Sequence, residues 1–374
     1  MSKVLIVTKN FYPSNFGGTS TTLYNLSKGL VRSGIIVNVL TTNDHIDDNG
    51  FVTNCWIDLE GISVFYCSTR KNSKFHFCLI KYLRNLIKEA DVLLLGSIFY
   101  PPNLFAAKLA KRYHKKIIWS PRGELFDSAI NGSKAKLLYL RLIKRIFGRY
   151  VLFHGTSDRE VEVLKEYFGE KSKHILIPNF LDFPARQLRH SRDFFFLFVG
   201  RIAPIKALEK IVEGLSLSYE FKKRDCRFLI AGPILSEYKD YYKLLMERID
   251  GFSLTDRVKF IGAVSGIEKD QYYADAYMTL LLSESENFGN VVLESMAQGT
   301  PVIASKGTPW KVLQDNGIGY WVDNSPKSIA NTIDNVLSLS DREYWLMRNE
   351  AESFSRNTYS LQKNISKWTE AIQT

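Results

Sequence analysis

Twelve short apolar runs, rich in β-branched residues, alternate along the chain with stretches of helical period. In the first half they are KVLIVT (3–8), IIVNVLT (35–41), DVLLLGS (91–97), KKIIWSP (115–121), YVLFHGTS (150–157) and HILIPN (174–179). In the second they are FFFLFVGR (194–201), CRFLIAGP (226–233), VKFIGAV (258–264), AYMTLLLS (276–283), PVIAS (301–305) and IGYWVD (318–323). Runs without polar alternation, set between helices, predict parallel strands covered on both faces. At 374 residues the chain exceeds one ordinary core. Two consecutive series therefore predict an α/β protein of two doubly wound, Rossmann-like domains. The segment 177–193, with Pro178, Pro184 and a polar cluster, reads as the linker. Ligands of such folds bind beyond the carboxyl ends of strands, so chemistry is expected there, in a central cleft that the domains face.

Three stretches occupy such positions. In FYPSNFGGTSTTLYNLSKGLVRSG (11–34), Gly17 and Gly18 precede a helix with Leu23, Leu26 and Leu30 on one side. Thr19 or Ser20 is the expected N-cap and Gly34 the C-cap. Backbone N–H groups at such a turn form an anion site. The pattern is neither GxGxxG nor a Walker loop, which speaks against a dehydrogenase. In VGRIAPIKALEKIVEGL (199–215), Arg201 ends a strand and Lys206 opens the next helix. Two cations there suit a departing diphosphate, whose charge grows as its bond breaks.

The third stretch, SESENFGNVVLESMAQGTPVIAS (283–305), carries Glu284, Glu286 and Glu294. It reads as a loop, SESENFG, and a helix, NVVLESMAQ, ended by Gly299. If Glu286 and Glu294 shared a helix, they would stand about 12 Å apart and about 80° around it. That is too oblique for a carboxylate dyad on one glycosidic bond, which needs about 5–9.5 Å. Gripping two parts of one long ligand fits better, through hydroxyls that donate to the carboxylates. Capping and solvation account for Glu284. Glu294, among Val291, Val292, Leu293 and Met296, requires partners.

Together these stretches resemble glycosyltransferase family 4, retaining nucleotide-sugar enzymes of the GT-B fold. The family's paired-glutamate segment stands as Glu286-Asn-Phe-Gly and Glu294-Ser-Met-Ala-Gln-Gly-Thr-Pro-Val. Its G-R-x-x-x-x-K element matches Gly200, Arg201 and Lys206, its early glycine turn Pro13, Gly17, Gly18 and Thr19, and its I-P-N linker 177–179. The resemblance implies an acceptor-side domain over 1–182 and a nucleotide-sugar domain over 183–355, with a helix in 356–374 returning to the first. It also implies catalytic roles for Arg201, Lys206 and Glu286. Donor binding falls to Gly17, Gly18, Asn287, Phe288, Gly289 and Glu294, the last on ribose. The donor is then a UDP- or GDP-linked sugar. Neither metal nor other cofactor is implied, and no DxD occurs. Two departures stand out. WSPRGELFD, as in a subset of bacterial surface-polysaccharide enzymes, puts Arg122 where many members carry a sugar-contacting histidine. This makes Arg122, Glu124 and Asp127 acceptor-side or sugar-side candidates, with a local ion-pair network as the plainer account. Asn287 and Asn290 replace the usual small and aliphatic residues near the donor sugar.

Charge adds a partner. Residues 1–190 hold 28 Lys+Arg against 15 Asp+Glu, whereas residues 191–374 hold 22 against 24. The surplus predicts an anionic partner for the first domain. RKNSKFHFCLIKYLRNLIK (70–88) and SKAKLLYLRLIKRIFGRY (133–150) mix cations with apolar residues at helical spacing, as helices on an anionic membrane do. A polyprenyl-linked or glycan acceptor would be met there; nucleic acid is set aside. The first residues show no signal-peptide core and no run spans a bilayer, so a cytoplasmic, peripheral protein is expected. Cys55, Cys67, Cys78 and Cys226 lack ligand spacing and read as small buried hydrophobes. His154 reads as a satisfied structural histidine. Two rival functions remain. A nucleotide-sugar 2-epimerase would need further acid/base carboxylates. A silent sugar-binding subunit is disfavoured by the intact Arg201, Lys206, Glu286 and Glu294.

Overall fold

The computed structural model describes residues 1–14, 17–46, 51–69, 77–190 and 194–374. They divide into two compact units, one of Met1–Asp182 with Leu361–Thr374, the other Phe183–Ser360. The second unit extends to Ser360, five residues past the expected limit, because Arg356 Nη2 donates to Ala297 O at 2.9 Å and holds the helix Asp341–Tyr359 to that unit.

The first unit contains β1 (Lys3–Val7), β2 (Ile36–Thr42), β3 (Trp56–Leu59), β4 (Ile62–Cys67), β5 (Val92–Gly96), β6 (Lys116–Ser120), β7 (Leu152–Gly155) and β8 (Lys173–Leu176). Their order is β3-β4-β2-β1-β5-β6-β7-β8, parallel except for β3. Apolar side chains leave both faces. Leu93, Leu95 and Trp119 join one core, while Val4, Ile6, Val39 and Leu94 join the other.

The pair β3–β4 departs from the expected run of parallel strands. WIDL and ISVFYC close an antiparallel hairpin through Glu60 and Gly61, both at positive φ (54° and 84°), a two-residue turn matched to strand twist. Its alternating outer strand lacks the continuous apolar run that marks the others.

The second unit contains β9 (Phe194–Val199), β10 (Cys226–Ala231), β11 (Val258–Gly262), β12 (Met278–Leu281), β13 (Val302–Ser305) and β14 (Gly319–Val322). All are parallel, in the order β11-β10-β9-β12-β13-β14. Phe196, Phe198, Leu280 and Ile303 face one core, Phe195 and Leu197 the other. Among the described residues no helix is long and apolar enough to cross a membrane. The four cysteines are free; Cys67 and Cys226 are buried, but Cys55 and Cys78 are only half-buried, unlike the expectation for all four.

Candidate active site

The apolar run of β9 stops at Val199, and the chain leaves the sheet through Gly200 and Arg201. Pro204–Lys206 forms one 3₁₀ turn before the helix Leu208–Leu217, so Lys206 precedes the helix rather than opening it. Pro204 fixes φ at the start of that turn, which is closed by Lys206 N donating to Ala203 O and Ala207 N donating to Pro204 O, both at 2.9 Å.

The segment after β12 meets this turn. Glu284 N donates to Ile205 O at 2.9 Å, and Glu286 N donates to Gly307 O at 3.0 Å. Gly307 permits the approach because a Cβ there would lie 2.3 Å from Glu284 O. Lys206 Nζ pairs with Glu286, whose Oε1 also accepts from Ser283 Oγ at 3.0 Å. Lys210 Nζ stands 2.5 Å from Glu284 Oε1 and lowers the pKa of that carboxyl.

Glu286 lies in the loop, four residues before the helix Asn290–Ala297 that carries Glu294. The one-helix separation considered from spacing therefore does not apply. Gly289, in the left-handed region, separates loop from helix. Trp310 Nε1 donates to Phe288 O, and the two rings meet edge to face at 5.0 Å. Asn287 Oδ1 is buried and has no hydrogen-bond partner among the described residues.

Glu294 finds the partners its burial demands. Tyr273 OH donates to Oε2 at 3.0 Å, and Lys269 Nζ lies 3.1 Å from Oε1. Both come from the helix Gly266–Asp275. Burial first, then the Glu294 charge, holds the Tyr273 hydroxyl far above its ordinary range, so it remains a donor. Each glutamate of the 283–305 stretch thus has its own lysine. Spacing from Lys269 or Lys210 alone gave no sign of this, since the partners lie on separate helices.

In the first unit Gly17 and Gly18 are exposed and begin the helix Gly17–Arg32, three residues earlier than a Thr19 cap requires. Gly17 takes φ 73°, a left-handed conformation that glycine adopts without steric cost. Gly34 closes it, with Ile35 N donating to Leu30 O at 3.0 Å. Residues 15–16, 70–76 and 191–193 of the stretches discussed above lie outside the described residues.

Beyond β6, Arg122 adopts φ 53°. Burial brings its guanidinium down to about 10, with Glu160 acting in the opposite sense. Nη1 donates to Asn179 Oδ1 at 3.4 Å, while Nε is buried without a partner among the described residues. Glu124 is not an ion-pair partner of Arg122. It accepts from Ser97 Oγ and Ile98 N, both at 2.6 Å, and from Phe99 N at 3.1 Å. Asp127 is exposed at the start of a four-residue helix, Asp127–Ile130. The buried carboxylate at this edge is Glu160, which accepts from Gly123 N at 2.6 Å and from Thr156 N and Oγ1 at 2.8 and 2.9 Å. Its sequence signal is Ser157-Asp-Arg-Glu160, a capping-box spacing. His154 is buried between Ser120 Oγ (2.7 Å) and Ile177 O (2.8 Å).

Two parallel-sheet Rossmann-like units, the second carrying paired Lys and Glu side chains at its strand ends, define the GT-B class. Comparison with known proteins places the chain within it. Residues 16–183 match Glycosyltransferase Family 4, and residues 181–360 match Glycosyl transferases group 1. The chain belongs to this glycosyltransferase family. It is 31% identical over 176 residues to an uncharacterized glycosyltransferase of Methanocaldococcus jannaschii, covering 46% of this chain and 43% of that one. It is 31% identical over 167 residues to the mannosylfructose-phosphate synthase of Agrobacterium fabrum, covering 40% and 37%. These matches therefore span about two fifths of those relatives' length. An uncharacterized glycosyltransferase of Haemophilus influenzae matches over 94% of this chain and 95% of its own, at 24% identity. Among solved structures, Anabaena HepE in complex with UDP and glucose superposes with a TM-score of 0.77 at 17% identity, covering 100% of this chain and 99% of that one. The sucrose-phosphate synthase of Thermosynechococcus elongatus gives 0.80 at 16%, covering 99% and 98%.

Proposed function

We propose that the protein transfers a sugar, with retention and without a metal, from a nucleoside-diphosphate sugar to a glycan or lipid-linked acceptor of a bacterial surface polysaccharide. The observation that carries this reading is the arrangement around 283–294. Glu294 is fixed by Tyr273 and Lys269, and each of its oxygens keeps a lone pair free for a ribose hydroxyl. Lys206 and Glu286 meet at the other end of the segment, where a diphosphate and its sugar would lie. Lys206, with Arg201, offsets the charge of the departing phosphate, which takes the acceptor's proton; Glu286 orients the sugar by accepting from a hydroxyl. The unpartnered Asn287 Oδ1 supplies a further acceptor beside it. Gly17 and Gly18, both exposed, open a helix whose amino end complements phosphate, and Arg122 Nε, without a partner among the described residues, is available to the acceptor or sugar.

HepE was solved in complex with UDP and glucose, which supports a nucleotide-sugar donor here. The cationic surplus of residues 1–190 and the exposed Leu138 and Leu142 beside Arg141 and Arg145 support a peripheral position on the inner face of the cell membrane.

A thermal-shift screen over UDP- and GDP-linked sugars, followed by calorimetry on Glu294→Ala, tests the reading. Loss of a charged hydrogen-bond acceptor for ribose weakens nucleotide binding by about 1.5–3 kcal/mol. Unchanged affinity would remove the ribose assignment, and no stabilisation by any nucleotide sugar would remove the reading itself.

A further inference from the structure

On the first unit the helices Pro101–Arg112 and Lys134–Phe147 end side by side. Lys111 Nζ joins them, donating to Ile146 O at 2.6 Å and lying 5.7 Å and 5.9 Å from the ring centres of Phe147 and Tyr150. Between the ends is a cavity of about 460 Å³ lined by Lys111, Lys144, Arg145, Ile146, Arg149 and Tyr150. Tyr150 OH donates to Lys115 O at 2.9 Å, just before β6, so the cavity sits at the amino ends of β6 and β7. Arg122 and Glu160 stand beyond the opposite, carboxyl ends. The cavity shares no residue with the candidate donor site.

Cations near helix carboxyl ends have an ordinary explanation. Each helix end carries about half a negative charge, so two ends compensate about one cation. Four cations line the cavity, no carboxylate does, and none of the four has an ion-pair partner among the described residues. About three positive charges are left uncompensated around a concave, partly apolar space, on side chains that are all exposed. Guanidinium forks match the tetrahedral oxygens of phosphate, and the lysines add point charges. Ile146 and Tyr150 give the remaining wall to a carbon skeleton.

We infer that this cavity binds a phosphate ester. Two sources share that chemistry, the headgroup of an anionic phospholipid and a soluble phosphorylated molecule. Leu142 and Leu138, 44% and 66% exposed, lie one and two turns before Arg145 on the same side of the helix Lys134–Phe147, a placement that suits a lipid. The site itself stands whether or not the membrane reading does.

The full chain is sedimented with phosphatidylcholine vesicles and with mixed phosphatidylcholine–phosphatidylglycerol vesicles, and is titrated with inorganic pyrophosphate after the donor site has been saturated with nucleotide. Arg145→Glu/Arg149→Glu is compared with Lys363→Glu/Lys367→Glu, an equal charge change at exposed positions of the helix Leu361–Gln373. Nucleotide binding by both variants checks folding. The cavity pair loses about tenfold or more in affinity for the bound probe, and the control pair about twofold at most. Loss on the mixed vesicles identifies a lipid source; loss on pyrophosphate, with no vesicle binding, identifies a soluble one. Equal losses in both variants, or no binding of either anionic probe, overturn the site. Vesicle binding indifferent to the cavity pair also overturns it, while leaving the membrane reading intact.

Discussion

His154 combines complete burial with two neutral hydrogen bonds, to Ser120 Oγ and Ile177 O. Burial lowers its imidazole from the ordinary 6.5 to about 3, and nearby Arg122 acts in the same direction. Between those values the unfolded chain binds a proton that the folded chain refuses. The stability associated with the neutral ring is thus complete above pH 6.5 and is lost as pH falls toward 3. Glu124 and Glu160, raised by burial, work in the opposite sense. His154→Gln isolates the histidine, since the amide can both accept from Ser120 and donate to Ile177. Urea unfolding at pH 7.5 and 5.0 should show wild type losing about 2 kcal/mol more than the variant across that interval; parallel losses would contradict the assignment. The sequence marks His154 as a strand residue, and its apolar neighbours made a structural role legible. It does not mark Glu160, because a capping-box glutamate reads as a surface feature until Gly123 and Thr156 are seen to converge on it. Nor does it distinguish Glu124 as a backbone staple from Glu124 as a ligand contact, since the Ser97–Phe99 turn lies far away in sequence.

The backbone of the loop from Ser283 to Gly289 is held at four points by other elements: Ser305 Oγ at Ser283 O, Ile205 O at Glu284 N, Gly307 O at Glu286 N, and Trp310 at Phe288 O. Its shape therefore depends on residues outside the glutamate motif. Gly307→Ala puts a methyl carbon into the space of Glu284 O and should displace the loop. We expect a loss of about 1–3 kcal/mol in stability and weaker nucleotide-sugar binding. Gly251→Ala, whose added carbon meets nothing within 4 Å, serves as the control in thermal unfolding and donor titration. Equal behaviour of the two variants would show that the loop tolerates the shift. At this scale apolar runs located twelve strands, and NVVLESMAQ located the helix of Glu294. β3 escaped because WIDL is short and alternates, whereas β4, ISVFYC, has an apolar run that is not among the twelve. The clamp escaped because backbone carbonyls leave no residue-type signal.

Across the molecule, the cationic surplus of residues 1–190 coincides with the unit that holds the basic cavity. That unit is discontinuous: the helix Leu361–Gln373 contributes Leu361, Trp368, Ala371 and Ile372 to the core formed by Val4, Leu26 and Leu94. Trp368, 2% exposed, also lies 4.6 Å from the His154 ring centre. Trp368→Ala should cost about 3–5 kcal/mol, lowering the unfolding transition of the first unit while leaving nucleotide protection of the second. A joint fall of both would show that the units unfold as one. Periodicity made the doubly wound series legible, but the membership of the last helix depends on packing that no local pattern records. The discontinuity also bears on biosynthesis. During translation, residues 1–182 emerge without the side chains that seal their core, whereas residues 183–360 are all present before Leu361 is added. The portion made first must wait, partly unsealed, through the synthesis of its neighbour, and becomes complete last.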